Sequence, residues 1–330
     1  LFRSEDGSIR FVNAALLALT GFRASDLVGQ PLSRLRPRDL DEAEAARFDR
    51  ISVNMLDRQS WREEMRLVRQ DSGSFEAELT ISRVGRSDGD VPRLVVLVRD
   101  ISARKMLEEQ KTRFIANAAH ELRTPIANLN TRIYLMRRDP KRGQEDFEAL
   151  ERIASRMNRL VSDLLDLSYF DHGRINLRRE AVLLPGLLQE VVRIQQAEAD
   201  QKSIQVQVLE DGEDPVYVLG DEQRLQQVFT NLIVNAIIYT PENGHIRVRT
   251  SRLPDQRVEI AVEDDGPGIA AEKIPYLFQP FYRVNTDQKG TGLGLAISHE
   301  IISLHEGELR VESEPGKGSR FIVSLQSMPT

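Results

Sequence analysis

The sequence predicts a multidomain α+β protein in which a long helical hairpin separates two mixed α and β domains. Three observations predict it. Residues 1–102 alternate short helical stretches with strand-like runs, residues 103–175 carry narrow apolar seams of helical period, and residues 176–330 return to strands and helices separated by glycine-rich loops. Those limits define an N-terminal domain, a hairpin and a C-terminal domain.

In the first domain, GSIRFVN (Gly7–Asn13) alternates like a short strand after an Asp-Gly turn. AALLALTG and ASDLVG are short helices closed by Gly21 and Gly29. The helical DEAEAARFDR is followed by strand-like Trp61–Arg69, Ser74–Val84 and Arg93–Asp100. Asp71-Ser72-Gly73 and Asp88-Gly89-Asp90 mark the turns between them.

In the hairpin, Leu122, Ile126, Leu129, Ile133 and Met136 recur at spacings of four and three, the seam of a long helix beginning near Arg104. RRDPKRGQED breaks the pattern at Pro140 and Gly143. A second seam runs through Leu150, Ile153, Met157, Leu160, Leu164 and Leu167, and His172-Gly173 marks its end. Two helices with such narrow stripes cannot bury both alone. An antiparallel hairpin that pairs with a second copy, as a dimeric four-helix bundle, is the expected solution.

The C-terminal domain has strand-like His245–Thr250, Arg257–Glu263 and Ser319–Leu325, and helical Pro185–Gln201, Glu222–Thr240 and Gly292–Leu304.

Composition narrows the function. The net charge of -6 argues against a general nucleic-acid binder. The absence of cysteine removes disulfides, cysteine–zinc sites and thiol nucleophiles, and fits a cytosolic protein. The longest apolar patches, such as Leu94–Val98, are strand-sized and too short to cross a bilayer. The chain starts at Leu1, almost inside a strand, so it reads as a cytoplasmic fragment whose parent has room for a membrane anchor upstream.

Chemistry concentrates in four places. In FIANAAHELRTPI (Phe114–Ile126), His120 lies one step off the seam and faces outward. An exposed imidazole is largely neutral near pH 7 and is a usable nucleophile. Glu121 is placed to take the proton of one ring nitrogen, leaving the other to attack. Thr124 sits one turn on, and Pro125 is expected to kink the helix there. In DEQRLQQVFTNLIVNAIIYT (Asp221–Thr240), Gln227, Asn231 and Asn235 line one helix face. Amide oxygens there suit Mg²⁺ beside phosphates, and a plain solvated face is the competing reading. EDDGPGIA (Glu263–Ala270) ends a strand in a loop where Asp264 can accept from an exocyclic amino group while Gly266 and Gly268 admit a flat base. KGTGLGLAIS (Lys289–Ser298) places three glycines at a helix opening, a phosphate-binding device. His245, His299 and His305 share no metal-ligand spacing and are read as structural.

HELRTP resembles the phosphoacceptor box of sensor histidine kinases, and the next three motifs, with LFQPFYRVNTDQ between them, resemble the N, G1, F and G2 boxes of that family's ATP domain. That α/β sandwich belongs to a superfamily shared with gyrase, Hsp90 and mismatch-repair proteins. The resemblance implies that His120 is phosphorylated from ATP, that Glu121 is its base, and that Thr124 positions water in a reverse phosphatase reaction. It implies Asp264 on adenine, and Asn231 and Asn235 at Mg²⁺ and phosphates. Tyr239, Gly266, Gly268, Ile269 and Phe281 are carried over as nucleotide-binding, together with Arg283, Lys289, Gly290, Thr291, Gly292, Leu293, Gly294 and Leu295. Arg283–Thr291 would form a lid. The implied partners are a second copy and the receiver domain of a response regulator, met around Asn128 and Arg132.

One departure stands out. The family commonly has a basic residue where NAIIYT has Ile238, so a phosphate contact is missing unless Arg283 or Lys289 supplies it. A nucleotide-binding scaffold or phosphatase with slow transfer is therefore the alternative reading. Residues 1–102 resemble a PAS domain through EDGSIRFVNAALLALTGFRASDLVGQPLSRL and VLVRDISARK. No histidine precedes His120 and no cysteine is present, so neither the usual haem ligand nor the flavin–cysteine adduct is available. A cofactor-free relay through Asp100-Ile101-Ser102 into the long helix is expected.

Overall fold

A computed structural model describes residues 2–3, 8–37, 60–84, 93–138, 143–171, 176–210, 215–284 and 290–328. The helix expected at 41–50, the turn at Asp88-Gly89-Asp90, Pro140, His172-Gly173 and Lys289 lie outside them. The chain gathers into two compact units, Leu1–Arg113 and Phe114–Thr330.

In the first unit an antiparallel sheet has the order β2-β1-β5-β4-β3, where β1 is Phe2–Arg3, β2 Ile9–Phe11, β3 Ser60–Val68, β4 Ser74–Val84 and β5 Arg93–Asp100. The helices α1 (Ala14–Thr20) and α2 (Ala24–Leu27) follow β2. The Asn13 side chain accepts the Leu16 N–H at 3.0 Å and so satisfies an orphan donor at the start of α1. Ile9, Leu27, Leu35, Leu67, Leu79 and Val96 are buried together as its core.

The long helix α3 (Ser102–Arg138) starts two residues before Arg104 because Asp100 and Ser102 set its first turn. The Ser102 N–H donates to Asp100 Oδ1 at 2.9 Å, and Ser102 Oγ accepts the Glu76 N–H at 3.0 Å. Arg69 donates to Asp100 at 3.0 Å and Lys105 to Glu76 at 2.7 Å. Strand β4 and the helix start are thereby tied through main chain and ion pairs.

In the second unit α3 continues through Pro125, which is buried, and α4 (Gly143–Asp171) returns along it. Arg132 donates to the buried Asp146 at 2.6 Å across the hairpin. The second seam buries Leu160 and Leu167, whereas Ile126 and Ile133 of the first seam stay exposed, as do Val161 and Leu165, each one position past a residue of the second seam.

The rest of the unit is a helix layer on a sheet. The sheet order is β11-β12-β10-β9-β7, with only β7 and β9 parallel among these pairs. The strands are β7 (Gln205–Glu210), β9 (His245–Arg252), β10 (Arg257–Asp264), β11 (Glu308–Ser313) and β12 (Ser319–Gln326). A separate pair joins β6 (Glu180–Leu183) to β8 (Tyr217–Gly220). The helices are α5 (Leu184–Gln201), α6 (Glu222–Tyr239) and α7 (Gly294–Leu304). Their apolar faces meet Ile246, Val248, Val258, Ile260 and Val323 in one core. The other sheet face is charged, with Arg310–Glu259 at 2.7 Å and Arg320–Glu263 at 3.1 Å.

The remaining histidines have local partners. His305 Nε2 accepts the Asp221 N–H at 2.9 Å and Nδ1 meets the Ile301 carbonyl at 2.8 Å. Burial holds its pKa below the usual imidazole range, so it serves as a neutral strut. His299 stacks on Phe278, and His245 pairs with Asp265.

Candidate active site

His120 stands exposed on α3. Glu121 is half-buried, with Arg156 of α4 at 3.9 Å. The Thr124 hydroxyl donates to the His120 carbonyl at 3.4 Å, a long contact for this bond type. Asn128 and Arg132 are exposed on the same helix.

A cleft enclosing some 640 Å³, open solvent at its mouth included, lies between α6, the loop after β10, and the segment before α7. Asn235 and Tyr239 come from α6, Asp264 and Pro267–Ile269 from the β10 loop, and Leu295 from α7. Leu277, Tyr282, Arg283 and Val284 form another wall, and Ser319 and Phe321 of β12 close it. The lining is mostly apolar with few polar groups, as suits a flat base carrying a polar tail.

Asp264 is 9% exposed, and its Oδ1 accepts the Gly266 N–H at 2.8 Å. Burial pushes its carboxyl up, the backbone N–H groups of Gly266 and Ser319 oppose that shift, and Asp265 adds to it. Burial likewise raises the Tyr239 phenol, with Arg283 opposing.

The glycines answer to the protein itself. Gly268 has φ +70°, and a Cβ there would lie 1.9 Å from the Glu314 carbonyl oxygen. The turn before β12 therefore excludes a side chain at this position, whatever the ligand. Gly292 has φ +71°, and a Cβ there would sit 2.8 Å from the Phe281 carbonyl carbon. This conformation keeps Gly292 outside the helix, so α7 begins at Gly294 and not at Gly292 as expected. The Phe281 N–H donates to the Gly292 carbonyl at 2.9 Å. Phe281, itself at φ +65°, packs on Phe114 of α3 with centroids 5.4 Å apart. Those two contacts hold an unfavourable backbone conformation in place.

The amide face divides three ways. Asn235 faces the cleft. Asn231 donates through Nδ2 to the Gly294 carbonyl at 3.2 Å and to Ser298 Oγ at 3.4 Å, beneath the glycine loop. Gln227 turns to the hairpin, donating to Asp166 at 3.0 Å beside Arg224, which reaches the same carboxylate at 2.9 Å. Leu293 is buried, its N–H meeting Thr291 Oγ1 at 3.3 Å, and Gly290 is exposed nearby. Lys289 lies outside the described residues.

Sequence reasoning did not single out Pro267, Leu277, Tyr282, Ser319 and Phe321 as site residues, whereas Val284 falls within the expected lid Arg283–Thr291. Ser319 pairs with Asp264 in the β10–β12 register, a signal available only once the two strands are aligned. Among the described residues no three His, Cys, Asp or Glu side chains gather as a metal site. The donors near the glycine loop are amide oxygens, which suit Mg²⁺ only in company with phosphate oxygens.

Residues 220–328 match the family described as histidine kinase-, DNA gyrase B- and HSP90-like ATPase. Residues 110–173 match the His Kinase A (phospho-acceptor) domain, and residues 1–103 the PAS domain. A solved structure of the Acinetobacter baumannii histidine kinase AdeS is 30% identical, with a TM-score of 0.55 over 64% of this chain and 98% of that one. The alginate biosynthesis sensor protein KinB of Pseudomonas aeruginosa is 35% identical over 70% of this chain. The chain belongs to the sensor histidine kinases.

It spans 39% of the length of KinB. It also shares its fold with the histidine kinase ThkA, solved in complex with the response regulator protein TrrA, at 23% identity and a TM-score of 0.54. That match covers 100% of this chain and 95% of ThkA. A PAS domain, a phosphoacceptor-type hairpin and an ATP-binding domain therefore follow one another along a sensor histidine kinase chain. Among the described residues no helix is long and apolar enough to cross a membrane.

Proposed function

We propose that this chain transfers the γ-phosphoryl group of ATP to His120 and then to an aspartate on a response regulator. The observation that carries the reading is an exposed His120 on α3 in the same compact unit as a cleft floored by the buried Asp264. In that cleft Asp264 accepts from the adenine amino group, while Ile269, Leu295 and Phe321 cover the flat ring. Asn235, Arg283 and the glycine loop from Gly290 to Gly294 take the phosphates, with Asn231 holding the start of α7 beneath them. Mg²⁺, when bound through Asn231 and Asn235, neutralises charge on the phosphates.

Glu121 takes the proton from one imidazole nitrogen as the other attacks phosphorus; the bond to the bridging oxygen breaks and ADP leaves. A receiver-domain aspartate then attacks the phosphorus of phospho-His120, whose nitrogen leaves. This partner docks along α3 around Asn128 and Arg132. In the reverse role, Thr124 orients water for hydrolysis of the phosphorylated regulator. The exposed apolar side chains of the hairpin at Ile126, Ile133, Val161 and Leu165 support a homodimer closed by a second hairpin.

Incubation with Mg·[γ-³²P]ATP tests the reading, comparing the chain with His120→Gln. Alkali-stable, acid-labile label is expected, and it disappears in H120Q. Label that persists in H120Q would move the acceptor elsewhere. Ile238 favours a second reading, a nucleotide-binding scaffold or phosphatase. Nucleotide binding without label would establish that one in place of the kinase.

A further inference from the structure

We propose that Lys202 is a positioning residue for nucleotide, acting through the end of α6; this rests on the reading of the cleft as an ATP site. Lys202 is the first residue after α5. Its ammonium donates to the carbonyls of Ile237 at 2.7 Å, Ile238 at 2.8 Å and Thr240 at 3.4 Å. An ammonium has three donors and no acceptor, and here all three meet carbonyls. Those oxygens are the ones a helix leaves unsatisfied at its end, where the macrodipole is negative.

The backbone of Lys202 is itself anchored on both sides. Its N–H donates to the Ala199 carbonyl at 3.1 Å, and its carbonyl accepts the Asn243 N–H at 3.0 Å. The cation is therefore fixed relative to the turn that follows α6.

The final turn of α6 is also where the site is built. Asn235 and Tyr239 point from it into the cleft. The Tyr239 carbonyl lies only 3.3 Å from where a Cβ on Gly266 would stand, so the loop bearing Asp264 rests on the same turn. Fixing this turn fixes the wall and the floor of the cleft together. Ile238 brings no charge of its own at the family's usual basic position, and the cation bonded to its carbonyl belongs to Lys202.

Three proteins test this: the wild-type chain, Lys202→Met and Lys202→Arg. The measurements are Kd for a fluorescent ADP analogue, and kcat and KM for autophosphorylation, at a temperature where circular dichroism shows all three folded. For K202M we expect a rise in Kd and KM of about tenfold, since small displacements of positioning groups have effects of at least this order. At saturating ATP its kcat stays within about twofold, because His120 and its neighbours are untouched. K202R should recover to within about threefold of wild type, an imperfect rescue by a planar fork in place of a point cation. Unchanged Kd in folded K202M overturns the proposal. So does a fall in kcat that tracks the unfolded fraction with KM constant, the pattern of a merely structural cap. If wild type takes no label, the kinase reading fails, and the Kd comparison still decides the role of Lys202.

Discussion

The hairpin and the C-terminal domain place the same kinds of apolar residue at the same helical spacing, yet they dispose of them differently. On α6, Leu225, Val228, Phe229, Leu232 and Ile233 are all 0% exposed. On α3 and α4, Ile126, Ile133, Val161 and Leu165 keep 45%, 42%, 44% and 50% of their surface. Helix α6 packs between two other helices and a sheet, which cover a wide face. The hairpin helices have each other and, through Phe114, Leu160 and Leu167, the C-terminal domain, which leaves the apolar surface at Ile126, Ile133, Val161 and Leu165 uncovered. The same periodicity thus builds a finished core in one region and leaves apolar surface open in the other.

Substitutions at the two kinds of site should separate them. Phe229→Ala removes the largest side chain of the finished core, and should cost about 3–5 kcal/mol in denaturant unfolding of the C-terminal domain. A loss under about 1 kcal/mol would mean the site collapses freely around the gap, and that its core is less finished than its burial indicates. Ile133→Asp combined with Leu165→Asp should instead leave that transition unmoved while halving the mass in light scattering, from two copies to one. A double variant that remains dimeric would place the interface off this stripe.

The contrast also explains what could be foreseen. Helical seams, the outward position of His120, and Asp264 at a strand end are local patterns, legible from spacing alone. The helix caps Asn13 and Asp221 are local too. Less legible were elements whose partners lie far along the chain. QVQVLE alternates plainly in sequence, but β7 becomes a strand by pairing in parallel with β9. The four-residue β6 and β8 find only each other in their sheet. The spacing of Gln227, Asn231 and Asn235 put three amides on one face, but nothing local said that Asp166 of the hairpin would claim the first. Lys202 has no motif around it at all. Its role exists only because the end of α5 meets the end of α6.

Asp163 offers the subtlest test of how the hairpin meets the domain it packs against. It lies on α4 three residues before Asp166, whose carboxylate already receives Arg224 and Gln227. Burial, with repulsion from Asp166, pushes the Asp163 carboxyl from 3.8 to about 6, and Arg159 only partly opposes this. The folded state therefore holds this proton more tightly than the unfolded chain does. That stabilisation is complete below pH 3.8 and is lost as pH rises through about 6, leaving a destabilising ionised group at pH 7. Asp163→Asn keeps the shape without the charge. The full shift would correspond to about 3 kcal/mol, but more than a third of the group faces solvent, which screens this to about 1 kcal/mol. We expect the variant to melt roughly 2–4 °C higher than wild type at pH 7, with the difference vanishing near pH 4. A gap that persists at pH 4 would trace the gain to packing. A lower melting temperature at pH 7 would show that the ionised Asp163 is a partner the hairpin needs.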